Sequence, residues 1–155
     1  MSTPFSPKNT GIKTEDMLIG ALLRVPAMAI QSRLIRDLNA AGFEGLTLPH
    51  MKVLQFPGPD GVRPTALAER AGMSKQAMNK LLGSLESLGY ITRSAAPDEG
   101  RAVIIRFTKR GRAAYAKIAD LLRDIERDWA AELGPKDFAQ LKALLFRVWE
   151  SPLIR

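Results

Sequence analysis

Lys75, Gln76, Asn79 and Lys80 stand close together in the 155-residue chain. Their spacing puts all four on one side of an α-helix. Two ammonium groups can hold phosphate oxygens. Two carboxamides can each donate and accept, which is what reading a base edge requires. Ser74, one residue earlier, adds a hydroxyl, and Arg101 adds a guanidinium after the run Pro97-Asp98-Glu99-Gly100. Side chains that could do bond-breaking chemistry are scarce. His50 is the single histidine and there is no cysteine, so thiolate metal sites, disulfides and nucleophilic dyads have nothing to build on. Glu15-Asp16 and Asp98-Glu99 are neighbours in sequence, but adjacency alone does not make a general acid and a general base. No phosphate-binding G-x-x-x-x-G-K run occurs. The residues therefore point to recognition: no enzyme, metal or cofactor is expected. An ordinary solvated helix face would show the same residues, so the elements around them have to decide.

Met78, Leu81, Leu82, Leu85 and Leu88 form the opposite, apolar face of the same helical pattern, with Gly83 and Ser87 among the polar positions. Ser74 is the expected N-cap and Gly89 the expected glycine after the last turn. A shorter helix is predicted over 66–71 with Thr65 as its cap, joined through Ala71-Gly72-Met73. Strand patterns follow at 90–94 and 101–107, with a turn at 95–100. Helix, tight turn, helix and hairpin in that order form a winged helix-turn-helix, whose second helix usually enters a DNA major groove. An arginine at position 101 suits the minor groove, where negative potential attracts guanidinium. It also suits pairing with Asp98 or Glu99, and the two readings are compatible.

The flanks are helical. Residues 1–13 offer few apolar side chains and are expected to be disordered. From Thr14 an apolar stripe (Leu18, Leu22, Ile30, Leu34, Leu38) predicts a helix, kinked or broken at Pro26 and closed by Ala40-Ala41-Gly42. A short helix is expected over 50–56. A long one over 112–133 carries Ile118, Leu122, Ile125 and Trp129, a stripe suited to core packing or an oligomer seam. Gly134-Pro135 separates it from a last helix bearing Phe138, Leu141, Leu144, Leu145 and Val148. The fold class is therefore mainly α with a small β-hairpin wing, in five or six helices. His50 is expected on a helix surface or lining a pocket. Met28, Met51, Phe56 and Trp129 are candidates for an adaptable ligand pocket. Net charge is +7, and residues 46–112 carry +6 of it, against +1 before and zero after. A basic segment attracts polyphosphate. No apolar run approaches a membrane span or a signal sequence, so a soluble, cytoplasmic protein without membrane partners is expected.

Several short runs reinforce one another: Arg63-Pro64-Thr65 with Leu67-Ala68, Gly72 to Met78, Leu85-Glu86 with Leu88 to Ile91, then Gly100-Arg101-Ala102, Phe107-Thr108 and Gly111-Arg112. With helices on both sides, this pattern resembles the MarR family of bacterial transcriptional regulators over nearly all of the chain after residue 14. The resemblance implies one domain over 14–155, in which 46–112 is a winged-helix DNA-binding lobe and 14–45 and 113–155 are dimerisation helices. It further implies a homodimer on a pseudo-palindromic duplex, with DNA contacts from Ser74, Lys75, Gln76, Asn79, Lys80 and Arg101. A small aromatic or lipophilic effector held between the dimer helices and the DNA-binding lobe is common in the family. The family wing often carries Asp-x-Arg, whereas Glu99 stands two residues before Arg101 here. A winged helix used for protein interaction, or a ligand sensor without specific DNA binding, is the alternative. The polar Gln76/Asn79/Lys80 face speaks against the first.

Overall fold

A computed structural model describes residues 13–54, 58–95 and 102–154. Within them, a single 3-10 turn at Thr14–Asp16 precedes α1 (Ile19–Ala40), α2 (Leu48–Leu54), α3 (Pro64–Arg70), α4 (Lys75–Ser87), β1 (Ile91–Ala95), β2 (Val103–Phe107), α5 (Lys109–Leu133) and α6 (Pro135–Glu150). The mainly helical fold with one small hairpin is thus the architecture observed. β1 and β2 pair antiparallel, with Ile91 opposite Phe107 and Ala95 opposite Val103. The loop before α3 extends this pairing. Gly61 N–H donates to the Ile105 carbonyl at 2.7 Å, Ile105 N–H donates to the Val62 carbonyl at 2.9 Å, and Phe107 N–H donates to Asp60 Oδ1 at 2.9 Å.

Helix ends follow local chemistry. α3 and α4 both finish in a Schellman motif. Met73 N–H reaches Ala68 O and Gly72 N–H reaches Glu69 O, while Tyr90 N–H reaches Leu85 O and Gly89 N–H reaches Glu86 O. Each needs a residue at positive φ, which Gly72 (+60°) and Gly89 (+76°) supply at no steric cost. The first of these motifs is the turn of the helix-turn-helix. Ser74 caps α4 as expected, its Oγ accepting from Ala77 N–H at 3.1 Å.

Other boundaries differ from the sequence reading. Thr65 is not the cap of α3: Arg63 holds that position and Pro64 begins the helix, where a missing N–H costs nothing. α1 runs unbroken through Pro26, so one lost hydrogen bond does not outweigh the packing of α1 on α5. Glu15 and Asp16 belong to the 3-10 turn and not to α1. α2 occupies Leu48–Leu54, and Phe56 lies outside the described residues. α5 starts about one turn earlier than expected because Thr108 caps it, accepting from Gly111 N–H at 2.9 Å.

The core lies under α4. Met78, Leu82 and Leu85 are fully buried against Leu38 of α1, Leu54 of α2, Leu67 of α3, Tyr90, Ile105 of β2 and Ile118 of α5. Full burial of each such side chain is worth roughly 1.5–3 kcal/mol, so α4 is the element most firmly tied to the rest. Leu81 and Leu88 pack partly against the same core. α6 packs on α5 but has no buried residue. No helix among the described residues is long and apolar enough to cross a membrane.

Candidate nucleic-acid interface

Burial of the Met78/Leu82/Leu85 face fixes what α4 shows outward. Lys75, Gln76, Asn79 and Lys80 are all exposed, and neither lysine has an ion-pair partner among the described residues. Gly83 has open space where a Cβ would stand, so a partner can approach the helix closely there. At the N-terminus of α4, the N–H groups of Lys75 and Gln76 have no acceptor inside the helix, as in any first turn. Ser74 keeps its hydroxyl proton free to donate while its oxygen caps the helix. Free N–H groups, a hydroxyl and the Lys75 ammonium at one helix end, with Lys80 a turn further on, have the chemistry to attract an anion. Gln76 and Asn79 lie on the same exposed side of the helix, and a carboxamide can both donate to and accept from a partner. A helix of 13 residues is about 20 Å long, and its width suits a major groove.

The wing fastens α4 through a residue that sequence reasoning missed. Arg93 of β1 donates from its backbone N–H to Glu86 Oε1 at 3.2 Å, pairs through Nε with Glu86 Oε2 at 3.3 Å, and reaches the Asn79 carbonyl at 3.3 Å. A hairpin arginine among several gave no signal of this in the sequence. Two other cations counted with the basic segment are also occupied structurally. Arg110 lies 4.7 Å from the Tyr90 ring centroid and donates to its hydroxyl at 3.2 Å, and Arg112 donates to the Phe107 carbonyl at 2.9 Å. Of these three arginines only Arg93 meets a carboxylate among the described residues, so Arg110 and Arg112 are held in place with their charge intact. Arg101, with Asp98 and Glu99, lies outside the described residues, so the wing contact expected of it has no geometry here.

His50 is not on the helix surface, where one expectation puts it, and it is not among the residues lining the cavity beside α2 or the one between α1, α5 and α6. It is 4% exposed, the one buried polar side chain among the described residues. Thr47 N–H donates to Nδ1 at 3.1 Å, and Nε2 lies 3.0 Å from Ser84 Oγ on α4. Burial pushes its pKa below the ordinary 6.5.

Two of the cavities lined by described residues bear on the expected ligand pocket. One, of about 490 Å³, is lined by Gln31 of α1, Leu48, Pro49, Met51 and Lys52 of α2, and Met73. The other, of about 260 Å³, lies between α1, α5 and α6, where Ile30, Ile125, Trp129 and Phe138 surround it and the Glu126–Lys142 pair sits at its edge. The expected pocket set is thus divided. Met51 touches the first cavity, Trp129 lines the second, and Met28 is exposed.

Residues 44–102 match the family model described as MarR family. Over 128 residues the chain is 30% identical to the HTH-type transcriptional repressor Rv2887 of Mycobacterium tuberculosis, covering 82% of this chain and 85% of that protein. The crystal structure of the same mycobacterial MarR family protein in complex with salicylic acid superimposes with a TM-score of 0.64 at 27% identity, over 88% of this chain and 99% of that one. Streptococcus pneumoniae FabT, solved in complex with DNA, shares the fold at TM-score 0.73 and 17% identity, covering 85% and 93% of the two chains.

Proposed function

The chain belongs to the MarR family of transcriptional regulators, and from that premise we propose that it is a cytoplasmic, sequence-specific DNA-binding regulator without enzymatic activity. It acts as a homodimer on a pseudo-palindromic operator and is released by a small aromatic or lipophilic effector. The observation that carries this reading is the outward face of α4, where Lys75 and Lys80, without an ion-pair partner among the described residues, flank exposed Gln76 and Asn79. Ser74, Lys75, Lys80 and the first-turn amides hold phosphates, Gln76 and Asn79 read bases, and Arg101 enters the minor groove. Residues 46–112 form the DNA-binding lobe, and 14–45 with 113–155 form the dimerisation helices of one domain. Two recognition helices related by a dyad place half-sites about 10–10.5 base pairs apart.

For the effector, the cavity between α1 and α2 offers apolar walls and one cation, Lys52. An aromatic carboxylate of the kind held in the mycobacterial structure has the chemistry to fill it.

Selection of duplexes from a randomised library, followed by a salt titration, tests the proposal. Enrichment of an inverted repeat is expected. Lys80→Ala should weaken binding to all duplexes alike and lower the salt slope by about 1, while Gln76→Ala and Asn79→Ala relax preference at single bases. Unchanged binding in a Lys80→Ala/Arg101→Ala double variant would show that DNA does not dock on this face.

A further inference from the structure

On the DNA-binding reading above, we infer that Ser84 is a further DNA contact, a neutral donor to a backbone phosphate whose hydroxyl is set by the buried ring of His50. Ser84 and Ser87 are both exposed in the C-terminal half of α4, and they use their hydroxyls differently. Ser87 donates to the Gly83 carbonyl at 2.9 Å, the common way for a helical serine to spend its proton on the preceding turn. Ser84 makes no such bond to the Lys80 carbonyl. Its one side-chain hydrogen bond among the described residues is to His50 Nε2, at 3.0 Å. The direction of that bond follows from the other ring nitrogen. Thr47 N–H donates to Nδ1 at 3.1 Å, so in the neutral ring the proton sits on Nε2. Nε2–H therefore donates and Ser84 Oγ accepts.

Ser84's own proton is left over. It has no acceptor among the described residues, and the ring fixes the oxygen from the protein side, so the O–H is free to point outward. Its position suits a phosphate. Ser84 stands one turn after Lys80 on the same edge of α4, and Gly83 beside it has open space where a Cβ would stand. A strand approaching that edge meets an ammonium and a hydroxyl together. Gln76 and Asn79 lie nearer the middle of the outward face, toward the bases, whereas the edge faces the sugar-phosphate wall. Ser84 also lies ten residues beyond Ser74, about 15 Å along the helix axis. The N-terminus of α4 and Ser84 can therefore reach the two walls of a major groove about 12 Å wide.

The test uses a duplex selected by the protein, resynthesised with single methylphosphonate linkages scanned along both strands. Ser84→Ala should weaken binding to the unmodified duplex about tenfold for each half-site. The salt slope should stay unchanged, because no charge is removed. The signature is local: at one phosphate in each half-site, a methylphosphonate should cost the wild-type protein more than it costs Ser84→Ala. Ser84→Thr keeps a hydroxyl that the ring can hold and should restore the wild-type scan. Ser87→Ala, whose proton is used inside the helix, should match wild type throughout. Where Ser84→Ala does not fold, Ser84→Cys carries the same comparison, since its sulfur still accepts from the ring but donates only weakly. Wild-type affinity in Ser84→Ala overturns the proposal, as does a loss spread evenly over every linkage, which marks a purely structural serine. A loss expressed as altered base preference also overturns it. In each of these cases the wild-type protein still binds, and the DNA-binding reading stands. If the wild-type protein selects no duplex, that reading fails and takes this inference with it.

Discussion

Gly111 shows how little freedom one position can have. It lies in the first turn of α5, buried where that helix meets the end of α4, and a Cβ there would overlap the Tyr90 carbonyl oxygen. That carbonyl is backbone and already accepts from Thr108 N–H at 3.1 Å, so it cannot move aside cheaply. Gly111→Ala should therefore destabilise the chain by roughly 3 kcal/mol, measured by urea unfolding, although alanine is the better helix former. His50 offers a second residue-scale test. Its folded pKa lies below the unfolded value, so beneath about pH 6.5 the unfolded chain binds more protons than the folded one. The stability contributed by neutral His50 is complete above that pH and is lost as pH falls from it toward the folded pKa. The urea midpoint should drop between about pH 7.5 and about pH 5.5, a range above the ordinary carboxylate pKa values. In His50→Gln the drop should largely vanish.

At the scale of elements, α4 is held in three ways: by its apolar face, by the Ser74 cap, and by side chains arriving from other elements. The first two were legible in the sequence, because leucine periodicity and a serine before a helix act through local geometry alone. Ser74→Ala should cost about 1 kcal/mol and also remove a hydroxyl from the proposed phosphate site. The third was not legible. Arg93 reaches Glu86 and Asn79 across seven and fourteen residues, and His50 reaches Ser84 across thirty-four, separations at which no periodic pattern operates. The same blindness makes Pro26 a kink or a break, since packing of α1 on α5 decides it; the earlier start of α5 has a local reason, the Thr108 cap. Arg93 separates stability from function. Its pair with Glu86 is part-exposed, and such pairs are worth about 1 kcal/mol or less. Arg93→Ala should thus change the unfolding midpoint little, yet weaken duplex binding at least as much as Lys80→Ala, because the wing would no longer fix the angle of α4. Equal loss of stability and binding would show that the residue only supports the fold.

Across the whole molecule, apolar surface is distributed in a way one chain cannot accommodate. The side chains buried under α4 account for the winged-helix lobe, whereas the start of α1, most of α6 and the segment after it stay open. Leu18 is 82% exposed, Trp149 71% and Leu153 93%, with Ile19, Met28 and Phe146 also largely uncovered. Phe146 and Trp149 meet edge to face at 6.3 Å, and neither belongs to the buried core cluster. Large exposed apolar side chains in this number mark an interface, and they lie on the helices proposed for dimerisation. Two winged helices on one duplex gain avidity of about 10²- to 10⁴-fold over a single one. Phe146→Asp combined with Trp149→Asp should therefore convert a dimer into a monomer in sedimentation equilibrium. Operator affinity should fall within that range while the salt slope per half-site is retained, because α4 and its lysines are untouched. The lobe should stay folded, since neither residue contributes to its core. If the double variant sediments as a dimer, or if the wild-type chain is already monomeric at micromolar concentration, the exposed helices serve another purpose and the operator need not be palindromic.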